Sequence, residues 1–414
     1  MTLSSRERKV CLGIESKAGA LLDDLKLHVG LPTGGGNADA LDETRERFTA
    51  RMAALGASVR TVPGVAKPEW IDPNPKPPPP TAVCDRRREG AGARILIAGH
   101  LDTVHDPQGR FRALSIRPDG KTATGPGCVD MKGGLVIAAA ALEALEEAGE
   151  SLSWSYLLNS DEETGTFCSE QTLRDEASEH DVGLALEPAL PDGSLVVERL
   201  GSGQFQIEAR GRSAHVGRAF TEGVSAVTAL AKAVVRVAEM PDPSQGRILN
   251  IGPLRGNEAP NAVPDRAQAW GNCRFPTRAV ADDIERMLDG LETDHDAMPS
   301  VRVHRVLNRP AKPQIPATER VALVARSAAE SIGQSLPFAS TGGVCDGNIL
   351  QDAGLPTIDT MGVRGGGLHT PDEWIELASL VERCQLLAVT MLRLSETDPE
   401  ALRAPRRLGR ELKG

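Results

Sequence analysis

The residues of this chain best suited to chemistry are three adjacent acids, Asp161, Glu162 and Glu163, which follow the apolar run 154–158. That run predicts a buried strand. Carboxylates at the end of a buried strand are costly unless they are paired or bind a metal ion. A lone triplet of acids is more often a solvated turn, so its interpretation depends on whether other residues of the metal-binding type reach the same place.

Histidines and acids also follow other strand-like runs. His100 and Asp102 come after the run 94–98, and Asp130 follows a Gly-Pro-Gly sequence and precedes an alanine-rich helix, where an acid ordinarily caps the helix. Ligands gather at the carboxyl ends of strands in open α/β sheets. We therefore expect six side chains to converge, namely His100, Asp130, Glu162, Glu163, Glu187 and His369. Histidine and carboxylate ligands without cysteine suit catalytic zinc, or manganese or cobalt.

Two patterns of secondary structure must position these residues. Short continuous apolar runs outside 201–307 predict a catalytic α/β/α domain with a mostly parallel central sheet, formed by residues 1–200 and 308–414. The pattern changes within 201–307, where we predict a strand, a helix, two strands, a helix and a strand: 204–210, 222–240, 247–254, 266–274, 279–292 and 301–306. That order is ferredoxin-like, so we predict an inserted α+β domain.

Composition excludes several classes of function. The chain has 414 residues and a formal net charge of −10 without a long basic block, which argues against nucleic acid as a partner. No apolar run is long enough to span a bilayer, and the first residues lack the apolar segment of a signal peptide. Seven scattered cysteines without a CxxC pair predict reduced thiols and a cytoplasmic protein. The proline-rich segment 63–92 predicts an extended surface loop.

The chain resembles a known family through six motifs that occur in the family's order: GHLDTV, GPGCVDMKGG, NSDEETG, LALEP, GRSAHVG and GLHTPDEW. This is the two-zinc exopeptidase and amidohydrolase family, which includes aminoacylases, acetylornithine deacetylase, succinyl-diaminopimelate desuccinylase and the glutamate carboxypeptidases. The motifs span nearly the whole chain. The long spacer before GHLDTV, the GPG turn and the loop LPTGGGN are most similar to the glutamate carboxypeptidase subgroup.

The resemblance implies two divalent metal ions per chain, most often zinc, with cobalt and manganese as alternatives. One ion would be held by His100, Asp130 and Glu187, and the other by Asp130, Glu163 and His369, so that Asp130 bridges them. Asp102 would accept a hydrogen bond from His100 and fix its tautomer. Glu162 would be the general base that takes a proton from the water between the metals. The peptide bond between Asp130 and Met131 would be cis.

The resemblance assigns the inserted domain to closure over the substrate and to a two-fold homodimer. His215 would stabilise the oxyanion in the partner's active site. Asn261 and Arg274 match residues that bind the substrate carboxylate, and Arg309 and Arg199 are weaker matches. We interpret Arg199 as a surface arginine.

Two departures from the family pattern concern the rim of the site. His105 stands where the family has proline or an apolar or aromatic residue; we expect it to face solvent, and a place in the lining of the pocket is the alternative. Arg364 and three glycines precede His369 where the carboxypeptidase subgroup has bulkier residues. These departures leave the side-chain specificity open more than the metal chemistry.

Together these features predict a metal-dependent hydrolase that releases a C-terminal, acidic amino acid from a small peptide or N-acyl conjugate. An amidohydrolase that removes a small acyl group from an amino acid remains an alternative with the same machinery. Two other classes fit less well. A two-metal phosphoesterase does not need the inserted domain or an arginine that reads a carboxylate, and a non-catalytic binding protein does not need a complete set of ligands and a base.

Overall fold

The computed structural model describes residues 2–73, 76–88, 92–256 and 259–403. Thirteen elements precede residue 200. The helices are α1 Ser5–Ser16, α2 Ala18–Val29, α3 Ala38–Ala54, α4 Lys132–Ala148 and α5 Glu170–Ser178. The strands are β1 Ser58–Val62, β2 Thr81–Arg86, β3 Ile95–His100, β4 Ser115–Ile116, β5 Thr122–Thr124, β6 Trp154–Asn159, β7 Val182–Ala185 and β8 Leu195–Arg199.

The middle of the chain alternates strands and helices. Its elements are β9 Gly201–Arg210, β10 Ala214–His215, α6 Val216–Ala219, α7 Ala226–Ala238, β11 Ile248–Arg255, β12 Ala262–Val263, β13 Arg266–Phe275, α8 Arg278–Asp289 and β14 Ser300–Arg309, with short 3₁₀ turns at Phe220–Glu222 and Pro243–Gln245. The last elements are α9 Pro316–Ser331, β15 Phe338–Thr341, α10 Asp346–Asp352, β16 Thr357–Ile358, β17 Gly365–Gly366, β18 Trp374–Glu376, α11 Ala378–Ser395 and α12 Pro399–Arg403.

A six-stranded sheet in the order β1-β2-β6-β3-β7-β16 forms the centre of the molecule. Strands β6, β3, β7 and β16 run parallel to one another, whereas β2 is antiparallel to both of its neighbours, β1 and β6. Along β3, Ile95 and Ile97 pack with the helices α1, α2, α4, α9 and α11, and Leu96 and Ala98 pack with α5 and α10. Both faces are therefore covered, which explains why these strands are continuous apolar runs and confirms the predicted α/β/α architecture.

The first turn of α4 lies unusually close to the strand segment that leads into Glu187. A Cβ atom on Gly134 would lie 2.4 Å from the carbonyl oxygen of Leu186, so a glycine is required for this approach. The helix ends at Ala148, and Gly149 after it takes a left-handed conformation with φ 84°, as is common after a helix C-terminus. Close packing at the start of α4 thereby brings the Asp130 turn next to the end of β7.

A second sheet, in the order β11-β13-β9-β14, is antiparallel throughout. It packs against α7 and α8 and has a hydrophobic core of its own, centred on Phe205, Ile207 and Ile284. The order of elements and strands is ferredoxin-like, as predicted. The chain crosses between the two sheets where Arg199 and Lys312 pair through backbone hydrogen bonds of 2.9 and 3.0 Å. The domain boundaries at 200/201 and 307/308 stay predictions, and β14 continues to Arg309.

Several local predictions were wrong. The segment 63–92 is not all loop, because its residues 81–86 form the buried strand β2, which pairs with β6. The apolar run 356–363 predicts one last strand, but only Thr357–Ile358 forms a strand. Asp39, which the sequence offers as the cap of the following helix, lies inside α3, and Asn37 occupies the N-cap position. The sequence also predicts a polar, basic tail from residue 395 onward; it forms a helix at Pro399–Arg403, and its remainder from 404 lies outside the described residues. No described helix combines the length and apolar character needed to cross a bilayer.

Candidate metal centre

Five of the predicted side chains meet at the carboxyl edge of the central sheet. His100 is the last residue of β3, which ends level with β6 because His100 pairs with Asn159. Ligand atoms of His100, Asp130 and Glu187 lie within 4.8 Å of one another, as do those of Asp130, Glu163 and His369, so Asp130 belongs to both groups. The geometry therefore has the shared carboxylate of the predicted arrangement, while the roles of the five residues as ligands stay predictions.

The residues present fit a divalent cation. Asp130 Oδ1 and Glu163 Oε1 are buried and have no hydrogen-bond partner, which is unfavourable for a carboxylate without a cation. His100 Nε2 lies 3.3 Å from Asp130 Oδ1, and His369 Nε2 lies 3.2 Å from Glu163 Oε2. Two imidazoles and three carboxylates supply the nitrogen and oxygen donors that zinc, cobalt and manganese accept.

Burial and mutual contact shift the pKa values of these groups. Burial raises the pKa of Glu187 well above its ordinary value, and it also raises that of Glu163. The neighbouring imidazoles of His100 and His369 hold the pKa of Asp130 well below its usual range, although burial opposes them. The neighbouring carboxylates of Asp130 and Glu163 raise the pKa of His369 to about 10. Such protons must leave when a metal ion binds.

Asp102 orients both sides of the site. His100 Nδ1 lies 2.9 Å from the backbone oxygen of Asp102 and 3.5 Å from its carboxylate. Because a carbonyl can only accept, Nδ1 carries the proton and Nε2 is left to face Asp130. The Asp102 carboxylate instead accepts the backbone N–H groups of Glu162 (3.3 Å) and Glu163 (3.0 Å). The carbonyl, rather than the predicted carboxylate, is thus the closer partner of His100.

The side chain of Glu162 is held by Arg309. Arg309 Nη1 donates to Glu162 Oε1 at 2.8 Å, and Nη2 donates to the Glu162 carbonyl at 3.0 Å and to Thr166 Oγ1. The Arg309 side chain is only 4% exposed. Its guanidinium contacts the predicted base, so any role in substrate binding requires it to serve both groups.

Two interpretations of exposed side chains were wrong. Arg199 is buried, and its Nη2 donates to Asp359 Oδ1 at 2.8 Å. His105 does not face solvent, since its Nε2 lies 2.5 Å from Glu373 Oε2 and its side chain is largely buried. Both pairs join residues far apart in sequence, which local patterns do not reveal. Glu373 was missed, and the signal available was its place in the motif GLHTPDEW.

The catalytic and substrate-binding residues that we predict in the inserted region belong to neither of the two groups of candidate metal ligands. His215 ends β10, is exposed, and accepts a 3.1 Å hydrogen bond from the backbone of Gly217. Asn261 lies beside it, because the Asn261 carbonyl accepts from Val216 N at 3.1 Å. Arg274, at the end of β13, donates to Asn272 Oδ1 at 2.5 Å. Their catalytic and substrate-binding roles stay predictions.

The predicted cis peptide bond between Asp130 and Met131 is present in the structure. The fold and the shared carboxylate define a class of metal-dependent hydrolases, in which a second sheet is inserted in the α/β/α domain. The sequence model of peptidase family M20/M25/M40 matches residues 96–393, and the chain belongs to this family. The family comprises metallopeptidases and amidohydrolases.

Two relatives differ in their reactions. The chain is 25% identical to carboxypeptidase G2 of Pseudomonas sp. over 379 residues, covering 89% of this chain and 88% of the relative. It is 28% identical to succinyl-diaminopimelate desuccinylase of Methylorubrum populi over 324 residues, covering 70% and 79%. Among solved structures, a tripeptidase of Staphylococcus aureus aligns with a TM-score of 0.72 and 22% identity, covering 92% of this chain and 99% of its own.

Proposed function

We propose that this protein is a two-metal hydrolase of the carboxypeptidase type, which releases a C-terminal, acidic amino acid from a small peptide or N-acyl conjugate. The observation that carries the proposal is the pair of ligand groups that share Asp130. Each group contains one imidazole and two carboxylates. The similarity to carboxypeptidase G2, which extends over 89% of the chain, supports the carboxypeptidase reaction.

In this proposal His100, Asp130 and Glu187 hold one ion, and Asp130, Glu163 and His369 hold the other. When bound, the ions would supply Lewis acidity, which would polarise the scissile carbonyl and make water a stronger acid. The nitrogen and oxygen ligands fit zinc, and cobalt and manganese are alternatives.

Side chains of the protein carry out the proton transfer. Glu162 takes a proton from the attacking water and returns it to the leaving amine. Arg309 fixes the Glu162 carboxylate through the 2.8 Å contact. Asp102 fixes the backbone on which Glu162 and Glu163 follow each other. The two adjacent acids can thus do different work, one facing the water and the other facing the metal.

We propose that Asn261 and Arg274 hold the substrate carboxylate, as a planar guanidinium can do with two hydrogen bonds. Arg274 is half-buried, and burial together with the neighbouring charge of Arg309 lowers its pKa. Two cationic side chains near each other favour an anionic ligand. This environment supports a substrate with a free carboxylate.

We also propose a homodimer formed through the inserted sheet. Helix α7 exposes Val227 and Val235, and the edge strand β11 exposes Ile248 and Leu254, which is 60% exposed. Exposed apolar side chains on a helix and an unpaired strand edge favour association with a like surface. His215 would then complete the partner's site. The seven cysteines are all free and buried, which supports a reducing, cytoplasmic setting.

A panel of substrates tests the reaction. Alanyl-glutamate and N-benzoyl-glutamate should be hydrolysed faster than alanyl-lysine and N-acetyl-lysine. EDTA should abolish turnover, and Zn²⁺, Co²⁺ or Mn²⁺ should restore it. The amidohydrolase alternative, which the similarity to the desuccinylase favours, predicts that N-succinyl and N-acetyl amino acids exceed the dipeptides. Turnover of bis(p-nitrophenyl) phosphate at a comparable rate would instead indicate a phosphoesterase.

A further inference from the structure

One buried carboxylate holds the backbone of the turn that carries Asp130. Glu373 directly precedes β18, and only 1% of its surface is exposed. Its Oε1 accepts hydrogen bonds from the backbone N–H groups of Val129 (2.9 Å) and Asp130 (3.0 Å), and Oε2 accepts one from Gly127 (2.9 Å). Backbone N–H groups that point into one anion form an anion-binding concavity. The conformation of the turn therefore depends on this carboxylate.

His105 completes the surroundings of the carboxylate. Its Nε2 lies 2.5 Å from Glu373 Oε2, so each oxygen of Glu373 has two partners. The imidazole also packs edge-on against Phe111, with ring centroids 5.2 Å apart. A carboxylate with four partners has little freedom to turn, and among these four His105 supplies the side-chain partner.

Glu373 also joins the Asp130 turn to the loop of His369. It follows His369 by four residues, and its backbone N–H donates to the Thr370 carbonyl at 3.2 Å. Gly125, in the turn, donates its N–H to the Glu373 carbonyl at 3.3 Å. Side chain and backbone of one residue thus connect the segments that carry Asp130 and His369.

The two ligand groups differ in how much they need this connection. In the first group His100 and Glu187 are buried and lie at or just after strand ends. In the second group His369 is 56% exposed and has a φ of 62° in a loop. The geometry of the second group therefore depends on a loop, and Glu373 contacts that loop through the Thr370 carbonyl.

We propose that Glu373 is a positioning residue for the metal centre, holding the Asp130 turn and the His369 loop together, with His105 holding Glu373. The inference rests on the proposed function, because it takes Asp130 and His369 as metal ligands. Residues behind metal ligands commonly change metal affinity by about 10–100-fold when they are replaced. The second group should lose more affinity than the first.

The variant Glu373→Gln tests the inference with little change of volume. All four partners are arranged around acceptor oxygens, so the NH₂ group of glutamine leaves at least one N–H group without an acceptor. Zn²⁺ dissociation constants are measured on the metal-stripped full chain by competition with a chromophoric chelator. We expect one of two binding steps to weaken about 10–100-fold and the other to change less. Asp372→Asn, which removes the same charge from the adjacent exposed residue, should change neither.

A pair of variants at His105 gives an independent test if Glu373→Gln folds poorly. His105→Phe should weaken the same binding step, and His105→Gln, which keeps an N–H donor, should restore part of the affinity. The melting temperature of each metal-free variant shows whether the fold is intact. If Glu373→Gln and His105→Phe both bind two Zn²⁺ ions with the dissociation constants of the wild-type chain, the inference is wrong, but the proposed function is not affected. A wild-type chain that binds no Zn²⁺ overturns the proposed function with it.

Discussion

Both the amino edge and the carboxyl edge of the central sheet carry acidic residues, but the side chains that contact these acids differ between the two edges. At the amino edge, Arg94 Nη2 donates to Asp85 Oδ1 at 2.6 Å, and Arg94 N donates to Asp181 Oδ2 at 2.8 Å. At the carboxyl edge, Asp130 Oδ1 and Glu163 Oε1 have no hydrogen-bond partner among the described residues. The acids at the amino edge accept hydrogen bonds from an arginine, whereas Asp130 and Glu163 at the carboxyl edge have the imidazoles of His100 and His369 as their neighbours.

The pKa shifts reflect this difference. Hydrogen bonds from Arg94 and Ser155 lower the pKa of Asp85 although burial opposes them. Burial raises the pKa values of Glu163 and Glu187, because no arginine or lysine pairs with either carboxylate in the described structure. A buried acid that the fold leaves without a cation is a candidate for a ligand from outside the chain. At the carboxyl edge, the acids without an arginine or lysine partner are thus the candidate metal ligands, whereas Glu162, which pairs with Arg309, belongs to neither ligand group.

The largest expected effect is that of Asp130→Ala. Both ligand groups contain Asp130, so the variant should lose both metal ions and its activity. Metal content per chain, measured by inductively coupled plasma mass spectrometry, checks this. Asp181→Asn at the amino edge is the matched control and should retain both ions. Two ions per chain in Asp130→Ala would show that the carboxylate does not bridge.

Glu162→Gln should reduce turnover by about 10²–10⁴-fold, the usual contribution of a general base. The metal content should stay unchanged, because Glu162 belongs to neither ligand group. The measurement is kcat at saturating substrate with the metal content determined on the same sample. Near-normal turnover in the metal-loaded variant would remove Glu162 from the role of base.

His215→Ala should reduce turnover by about 10²–10³-fold, as the loss of one oxyanion donor does. Subunit exchange tests whether the residue acts across the dimer. Inactive His215→Ala chains are mixed with inactive Glu162→Gln chains, and a mixed dimer should regain one complete site. If exchange is demonstrated and no activity returns, His215 does not act in the partner's site.

At the amino edge the expected effects are on stability and leave metal binding unchanged. Burial lowers the pKa of His180 to about 4, below its value of about 6.5 in an unfolded chain. The unfolded state therefore binds the proton more tightly, and stability falls as the pH falls from 6.5 to 4. The loss relative to His180→Asn should reach about 3 kcal/mol. Urea unfolding of both proteins between pH 7 and pH 4 measures it. A constant difference between them across that range would contradict the prediction.

Arg94→Met should lower the free energy of unfolding by about 1–3 kcal/mol, since it removes the closer and more buried of the two arginines that contact the partly buried Asp85. The control is Arg87→Met. Arg87 also contacts Asp85, at 3.3 Å, but its side chain is 64% exposed, and exposed ion pairs contribute little. Chemical unfolding separates the two variants, and equal losses would show that burial of the Arg94 pair does not matter.

Much of the site could be predicted from the sequence because its signals are local. An apolar run followed at once by histidine or acid identifies both a strand and the residue at its carboxyl end, and parallel strands bring such ends to one edge. The proximity of His100, Asp130, Glu163, Glu187 and His369 was predicted in this way and by motif, and their roles as ligands stay predictions. The order of strand-like and helix-like segments in 201–307 likewise predicted the second sheet, because the spacing of apolar residues differs between strands and helices.

The tertiary structure alone decided which charged side chains pair. His105 and Glu373 are 268 residues apart, and Arg309 and Glu162 are 147 apart, so neither pair leaves a local pattern in the sequence. The same reason explains the errors at β2 and Arg199. Strand β2 gains its hydrogen bonds from β6, and Arg199 gains its partner from Asp359. The spacing of apolar residues shows which face of its own helix or strand a residue occupies. The partner of a charged side chain depends instead on which distant segments of the chain the tertiary structure packs against it.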